Sequence, residues 1–466
     1  MGSVPRKITL LTSAILAALS AVVLSASTAG VARAATITPL PAAYQVIADT
    51  AHGHLFISEG TSPSYEPFPT GSTILVTDLS GNPVATLPGP LGVEGMTLSP
   101  DGTTLYVAQD GGVAAYSTAT LQQTSFYSIG FPAYSVAAQS GLLWVSYGEE
   151  GVGSTNFTIG SIDPSTGSFD ATPFPVGWVL APPLISADPA DQSGTLVTSS
   201  EAVNPPTVAS FNVSNPAAVT QIASTQSIQS CPVPNGLAVL AGGATFVCDG
   251  ESYSTADLSP QVFYGTDDVA SAAADGTVAV AAPPYSPDFP DTTPDVFVFP
   301  PGATSFASYK AAYTLESPTV IAAALALSAD SENLYAVIQN NDTTGDPVSF
   351  TVEALDARAM TTLILSGPTS GTAHRCVTLT GQLTTLLTGT QAALPGAKVT
   401  ITRTISGAGN KPIETLTATT AADGTFTVTN ALPVHGTYTY TASYAGNAAN
   451  APATPATVTI TGGPGH

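Results

Sequence analysis

Five histidines, three cysteines and 32 carboxylates are the side chains of this 466-residue chain that could do chemistry. They do not spell a known catalytic device. No C-x-x-C, H-E-x-x-H, Walker or G-x-G-x-x-G setting occurs. A Ser-His-Asp arrangement in the first three-quarters of the chain would have to use His52 or His54. That pair suits a metal only with further ligands nearby, and none stands near in sequence. A solvated turn is the commoner outcome for such histidines. His374, His435 and His466 are dispersed toward the end of the chain. No catalytic residue is assigned.

The elements that must position these groups follow from composition. Lys and Arg number 9 against 32 Asp and Glu, a formal charge of −23, and charged residues are only 9 %. Nothing there favours nucleic acid, which needs a basic footprint. Gly (42) and Pro (39) are abundant, which argues for many turns and few long helices. Arg6 and Lys7 precede an apolar run from Ile8 to Leu24, followed by small residues ending Ala32-Arg33-Ala34. That order is a secretory leader, residues 1–34, cut after Ala34. Its loss removes three cations and no acid, taking the charge from −23 to −26. All but two of the acids lie between Asp49 and Asp356, whereas four cations follow Thr361. Such a charge break near residue 360 marks a domain boundary.

One pattern recurs over residues 35–360: a short apolar strand with β-branched and aromatic residues, ending in a polar loop. It reads Leu55-Phe56-Ile57, Leu105-Tyr106-Val107, Leu143-Trp144-Val145, Thr195-Leu196-Val197, Thr245-Phe246-Val247, Val278-Ala279-Val280 and Leu334-Tyr335-Ala336. A small-residue strand precedes each copy, and usually two alternating strands follow. The third strand of the fifth copy is weak, which leaves the register over 230–268 open. Seven copies about 46 residues apart fit a repeat architecture, and four antiparallel strands per copy make a propeller blade. The block Leu98 to Thr120, LSPDGTTLYVAQDGGVAAYSTAT, resembles the YVTN repeat of bacterial surface propellers, a WD40-like architecture; Ser328 to Tyr335 resembles it in part. The resemblance implies an all-β, seven-bladed propeller. The seventh copy lacks a fourth strand, and Ala35 to Leu40 is expected to supply it and close the ring.

Residues 361–462 read as seven short alternating strands, which suggests a β-sandwich of immunoglobulin type. Leu394-Pro395-Gly396-Ala397, Ala422-Asp423-Gly424-Thr425 and Gly436-Thr437-Tyr438-Thr439-Tyr440 resemble bacterial Ig-like repeats. The resemblance implies a spacer or adhesive module without catalytic residues. Residues 463–466 form a short tail.

Within this frame Cys231 and Cys248 fall in one blade on the same face, and in an exported chain a disulfide is expected. Cys376, alone at the start of a sandwich strand, is expected to be a buried thiol. The variable loops after each second strand share one face with the inter-blade loops, which hold Glu94, Tyr134, Trp178, Asp267, Asp268 and Glu316. These six are the candidate ligand-binding residues. Asn340 to Asp346 could hold Ca²⁺, although it is no EF-hand loop and solvated acidic turns are commoner; no other cofactor is implied. The reading is a secreted, non-enzymatic binding protein of the bacterial surface or exterior. Extracellular protein or glycan would be its partner. It would have no membrane span after leader cleavage, would be loosely wall-associated or released, and would be monomeric. The alternative is a propeller hydrolase or lyase with a carboxylate-bound divalent metal at the axial mouth, built from Glu94, Asp267, Asp268 and Glu316.

Overall fold

The computed structural model describes residues 35–37 and 45–464 apart from 59–72, 89–94, 152–153, 172–173, 175–181, 189–192, 201–206, 229–230, 232–235, 249, 266–268, 282–294, 315–319, 342–346 and 407–413. The leader and the tail end lie outside the described residues. Apart from two single 3₁₀ turns at Pro216–Ala218 and Phe306–Ser308, the regular structure described is strand.

Seven four-stranded antiparallel sheets follow one another over residues 45–88, 96–128, 133–170, 184–225, 237–263, 269–313 and 320–356. In the first six, strand order in space equals order in sequence, so each strand pairs with the next one along the chain. The turn between Met96–Leu98 and Thr104–Gln109 shows why. Gly102 takes a φ of +69° that other residues resist, and its N–H donates to Ser99 O at 2.8 Å.

The second strands are apolar on both faces because each packs two ways. Leu55 and Ile57 face the cluster shared with the seventh sheet, while Phe56 faces the cluster shared with the second. The same alternation splits Leu143 and Val145 from Trp144 and Phe246 from Val247. It splits Ala279 from Val280 and Leu334 from Tyr335. A period of two therefore feeds a separate apolar cluster between each pair of neighbouring sheets. These clusters run without a break from the first sheet round to the seventh and back to the first. The first strands touch in the same closed order.

The seventh sheet draws its outer strand from the other end of the chain. Ala35–Ile37 pairs antiparallel with Pro347–Asp356, Ala35 opposite Val352 and Ile37 opposite Phe350. Deleting residues 35–40 should bare that edge and forfeit about 1 kcal/mol per lost hydrogen bond. The melting midpoint should then fall by roughly 5–10 °C. A shortened chain that melts with the intact one would rule the strand out as a closure.

Residues beyond 360 build two further sheets. One holds Thr361–Ser366, Cys376–Leu387, Thr390–Ala393 and Thr425–Ala431; the other holds Ser370–Thr372, Ala453–Gly463, Gly436–Tyr444, Lys398–Ser406 and Glu414–Thr419. Among the described residues nine strands are present where the alternation pattern gave seven. Ser370–Thr372 and Thr390–Ala393 are too short to show a period. Leu379, Leu383, Ile401, Tyr438 and Ile460 form the core between the two sheets. Cys376 corrects the expected buried thiol, because it is exposed. The start of its strand alternates and turns Val377 and Leu379 inward, so Cys376 takes an outward position.

This second part is docked against the sixth sheet. Met360 N–H donates to Lys310 O at 2.9 Å, Leu386 N–H to Met360 O at 2.8 Å and Gly389 N–H to Tyr309 O at 3.0 Å. The outer-strand N–H of Ala312 meets Met360 Sδ at 3.5 Å. Arg358 grips Asp356 through Nε and Nη2 at 2.9 and 2.7 Å, while its Nη1 donates to Asn447 O at 3.0 Å. Tyr313 Oη donates to Asp356 O, and burial raises the Tyr313 hydroxyl's pKa well above its ordinary value. Burial lowers the Lys310 pKa, an effect partly offset by Asp275 and Asp356.

Candidate functional site

Five of the six expected ligand residues, Glu94, Trp178, Asp267, Asp268 and Glu316, lie outside the described residues, as does most of the Asn340 to Asp346 loop. Tyr134 is described and is no open contact. It is buried at 6 % exposure, and its ring stands edge-on to Phe157 at 5.3 Å. It stays inside because it starts a strand, Ala133–Gln139, that is buried along its whole length.

The axis of the ring holds a cavity of about 230 Å³, walled by first strands of the first five sheets, among them Gln45, Met96, Ser135, Ile185 and Leu237. An innermost strand has no further strand to pair with, so its outer N–H groups need other acceptors. Polar side chains on neighbouring first strands supply them. Met96 N–H donates to Gln45 Oε1 at 2.7 Å, Ile185 N–H to Ser135 Oγ at 3.2 Å, Val239 N–H to Ser186 Oγ at 3.2 Å and Leu327 N–H to Ser271 Oγ at 3.0 Å. Gln45, Ser135, Ser186 and Ser271 thus stitch four of the seven sheet junctions at the hub. Sequence reasoning missed them, and the available signal was a lone polar residue in each small-residue strand.

A second feature lies at the C-terminal ends of second strands, the face from which the long loops spring. Gln109 Oε1, Ser199 Oγ and Ser200 Oγ are buried and have no hydrogen-bond partner among the described residues. Buried polar atoms are normally satisfied, so unpaired ones at a strand end mark a place where water or ligand completes the set.

The opposite face is made of tight turns. His52 Nδ1 pairs with Asp49 Oδ2 at 2.8 Å, and His54 Nδ1 lies 3.2 Å from Thr118 O of the second sheet. His54 is therefore an inter-sheet contact. Among the described residues no three His, Cys, Asp or Glu side chains come together as a metal site would need. Cys231 and Cys248 are disulfide-bonded, with Cα atoms 4.9 Å apart and a sequence separation of 17. Reducing that bridge, or replacing both residues with Ala, should destabilise the ring by about 3 kcal/mol. Identical urea midpoints with and without reductant would sink this.

The hairpin turns share a carboxylate device. Asp101, Asp163, Asp257, Asp330 and Asp423 accept from the hydroxyls of Ser99, Ser165, Ser259, Ser328 and Thr425 at 2.6–2.7 Å. Each also accepts the backbone N–H two residues on, at 2.8–3.1 Å. The hydroxyls, followed by these N–H groups, hold all five carboxyls below the usual range. A depressed folded-state pKa stabilises fully above the unfolded value, near 3.9, and is lost as pH falls through the folded value. The melting midpoint should therefore hold from pH 7 to about 4 and decline below it. A midpoint constant down to pH 2 would contradict this.

No family profile matches the chain, and no curated protein matches it. Solved structures similar in part include the following two. The Kuenenia stuttgartiensis hydrazine synthase matches with a TM-score of 0.45 and 14 % identity, over 68 % of this chain and 96 % of that one. PorZ of Porphyromonas gingivalis, described as an essential bacterial surface component of the type-IX secretion system, matches with a TM-score of 0.47 and 12 % identity. That match covers 90 % of this chain and 59 % of PorZ. Similarity at this level carries no functional argument. Among the described residues no helix is long and apolar enough to cross a membrane.

Proposed function

We propose that the chain is an exported seven-bladed β-propeller carrying one immunoglobulin-like module, and that it acts without catalysis as a binding scaffold at the bacterial surface or exterior. One observation carries the reading. Seven sheets close into a cycle, and buried polar atoms at the ends of second strands, Gln109 Oε1, Ser199 Oγ and Ser200 Oγ, have no partner among the described residues. A closed ring removes sheet edges and leaves its loop face as the variable surface. Unpaired polar groups beneath that surface suit recognition of a polar ligand. Glu94, Trp178, Asp267, Asp268 and Glu316 are its proposed contacts, with Tyr134 as packed support behind them, and Asn340 to Asp346 its proposed Ca²⁺ loop. The Ig-like module, docked on the sixth blade, acts as a fixed spacer.

Two measurements test this. The N-terminus of protein recovered from culture medium or the surface fraction should begin at Ala35. A calcium titration should raise the melting midpoint by more than about 2 °C if the loop site is real. Protein found only in the cytosol with its leader attached overturns the surface reading; a midpoint indifferent to calcium removes the metal.

A further inference from the structure

The outward face of the five-stranded sheet is almost pure hydroxyl. Thr415, Thr402, Thr441 and Thr457 stand side by side across four strands. The rows above and below repeat the pattern. Along Lys398–Ser406, Glu414–Thr419 and Gly436–Tyr444, every outward position is Thr or Ser except Lys398. Strand spacing puts neighbouring hydroxyls about 4.8 Å apart across the sheet and about 6.7 Å apart along it. The threonine hydroxyls of this face make no side-chain hydrogen bond among the described residues, and their side chains are half-buried to exposed. A chain of net charge −23 thus carries one broad face with no acid pointing outward from these strands.

That chemistry narrows the partner. With a single lysine and no arginine, the face offers nothing to a phosphate or other polyanion. With no aromatic or large aliphatic side chain, it lacks the anchors of a protein–protein hot spot. Sheets twist by about 20–25° per strand, so the hydroxyls leave any common plane over five strands and do not match a flat crystal such as ice. An extended, uncharged polymer can follow the twist. Exchanging one water hydrogen bond for one sugar hydroxyl gains little, so affinity must come from many such contacts made by one chain.

We propose that this face binds an extended, uncharged polysaccharide, its hydroxyls pairing with sugar hydroxyls and its threonine methyls lying against sugar C–H groups. The inference deepens the scaffold reading and rests on the chain being exported. It gives the Ig-like module an adhesive role of its own, separate from the propeller's loop face.

The intact protein is run through native gels containing hydroxyethylcellulose, galactomannan or, as the anionic arm, alginate. Retardation by a neutral polymer and not by alginate is expected. Thr402→Glu/Thr439→Glu/Thr441→Glu should weaken it at least tenfold. Thr378→Glu/Thr380→Glu/Thr427→Glu, on the outer face of the other sheet, should leave it unchanged. Circular dichroism and melting check that both triple variants fold, and the corresponding valine triple replaces a glutamate one that does not. Four results overturn the proposal: no retardation by either neutral polymer, equal loss in both variants, retardation by alginate alone, or partition into growing ice without retardation. None of them bears on the N-terminus found in the medium, so failure here and failure of the scaffold reading are told apart.

Discussion

Replacing Arg403 with Ala should destabilise the sandwich by about 3 kcal/mol, because it empties a buried site and strips three acceptors of their donor. Arg403 lies between Ile401 and Ile405 on a strand whose odd-numbered positions turn inward. Its guanidinium therefore ends inside the sandwich, with the side chain only 8 % exposed. There Nη1 meets Glu414 at 2.6 Å, Asn430 Oδ1 at 2.8 Å and Ala431 O at 3.0 Å. Tyr440 Oη also donates to Asn430 Oδ1, at 2.8 Å. The guanidinium sits 5.9 Å from the centre of the Tyr438 ring. Asn430 belongs to the facing sheet, so this one cation ties the two layers together. Methionine refills much of that space but, like alanine, leaves Glu414, Asn430 Oδ1 and Ala431 O without the cation. Arg403→Met should therefore lose less than Arg403→Ala, by the packing part alone. Denaturant titration of both variants decides it, and an alanine variant as stable as the parent defeats the argument.

That arginine marks the limit of what could be read in advance. Leu105, Val107 and their six sets of counterparts were legible because a strand buried on both faces must be apolar at every position. Seven such runs at near-regular intervals leave few architectures open. The return of Ala35 to pair with Val352 was legible for a related reason, since a last copy short of one strand must find it elsewhere. Arg403 counted only as a cation, because an inward charge breaks the alternation that locates strands. The hub serines were hidden similarly: Ser135 and Ser186 stand among small residues, and only the neighbouring strand's open N–H gives them a partner. Cys376 went the other way. Its residue type suggested burial, and the parity of its strand, fixed by Val377, reversed that. As for the proposed ligand face, its residues lie in stretches of irregular sequence. Glu94, Asp267 and Glu316 could be grouped by topology but not aimed.

The docking of the sandwich was illegible from the sequence and has the sharpest test. Gly389 sits at φ +69°, and a Cβ added there would lie 2.1 Å from Ala307 O, on the sixth sheet's side of the junction. That oxygen is backbone and cannot rotate away. Gly389→Val should therefore push the two parts apart and break the Gly389–Tyr309 hydrogen bond, worth about 1 kcal/mol. A further 1–2 kcal/mol comes from the left-handed backbone itself. Gly396 separates the two effects, because it has the same backbone, φ +70°, with nothing within 4 Å of its added Cβ. Gly396→Val carries the strain alone. If ring and sandwich unfold as one body, calorimetry should give a single transition for the parent and for Gly396→Val, and two for Gly389→Val. Should the two valine variants melt alike, the junction is a passive contact and the two-sheet part swings free of the ring.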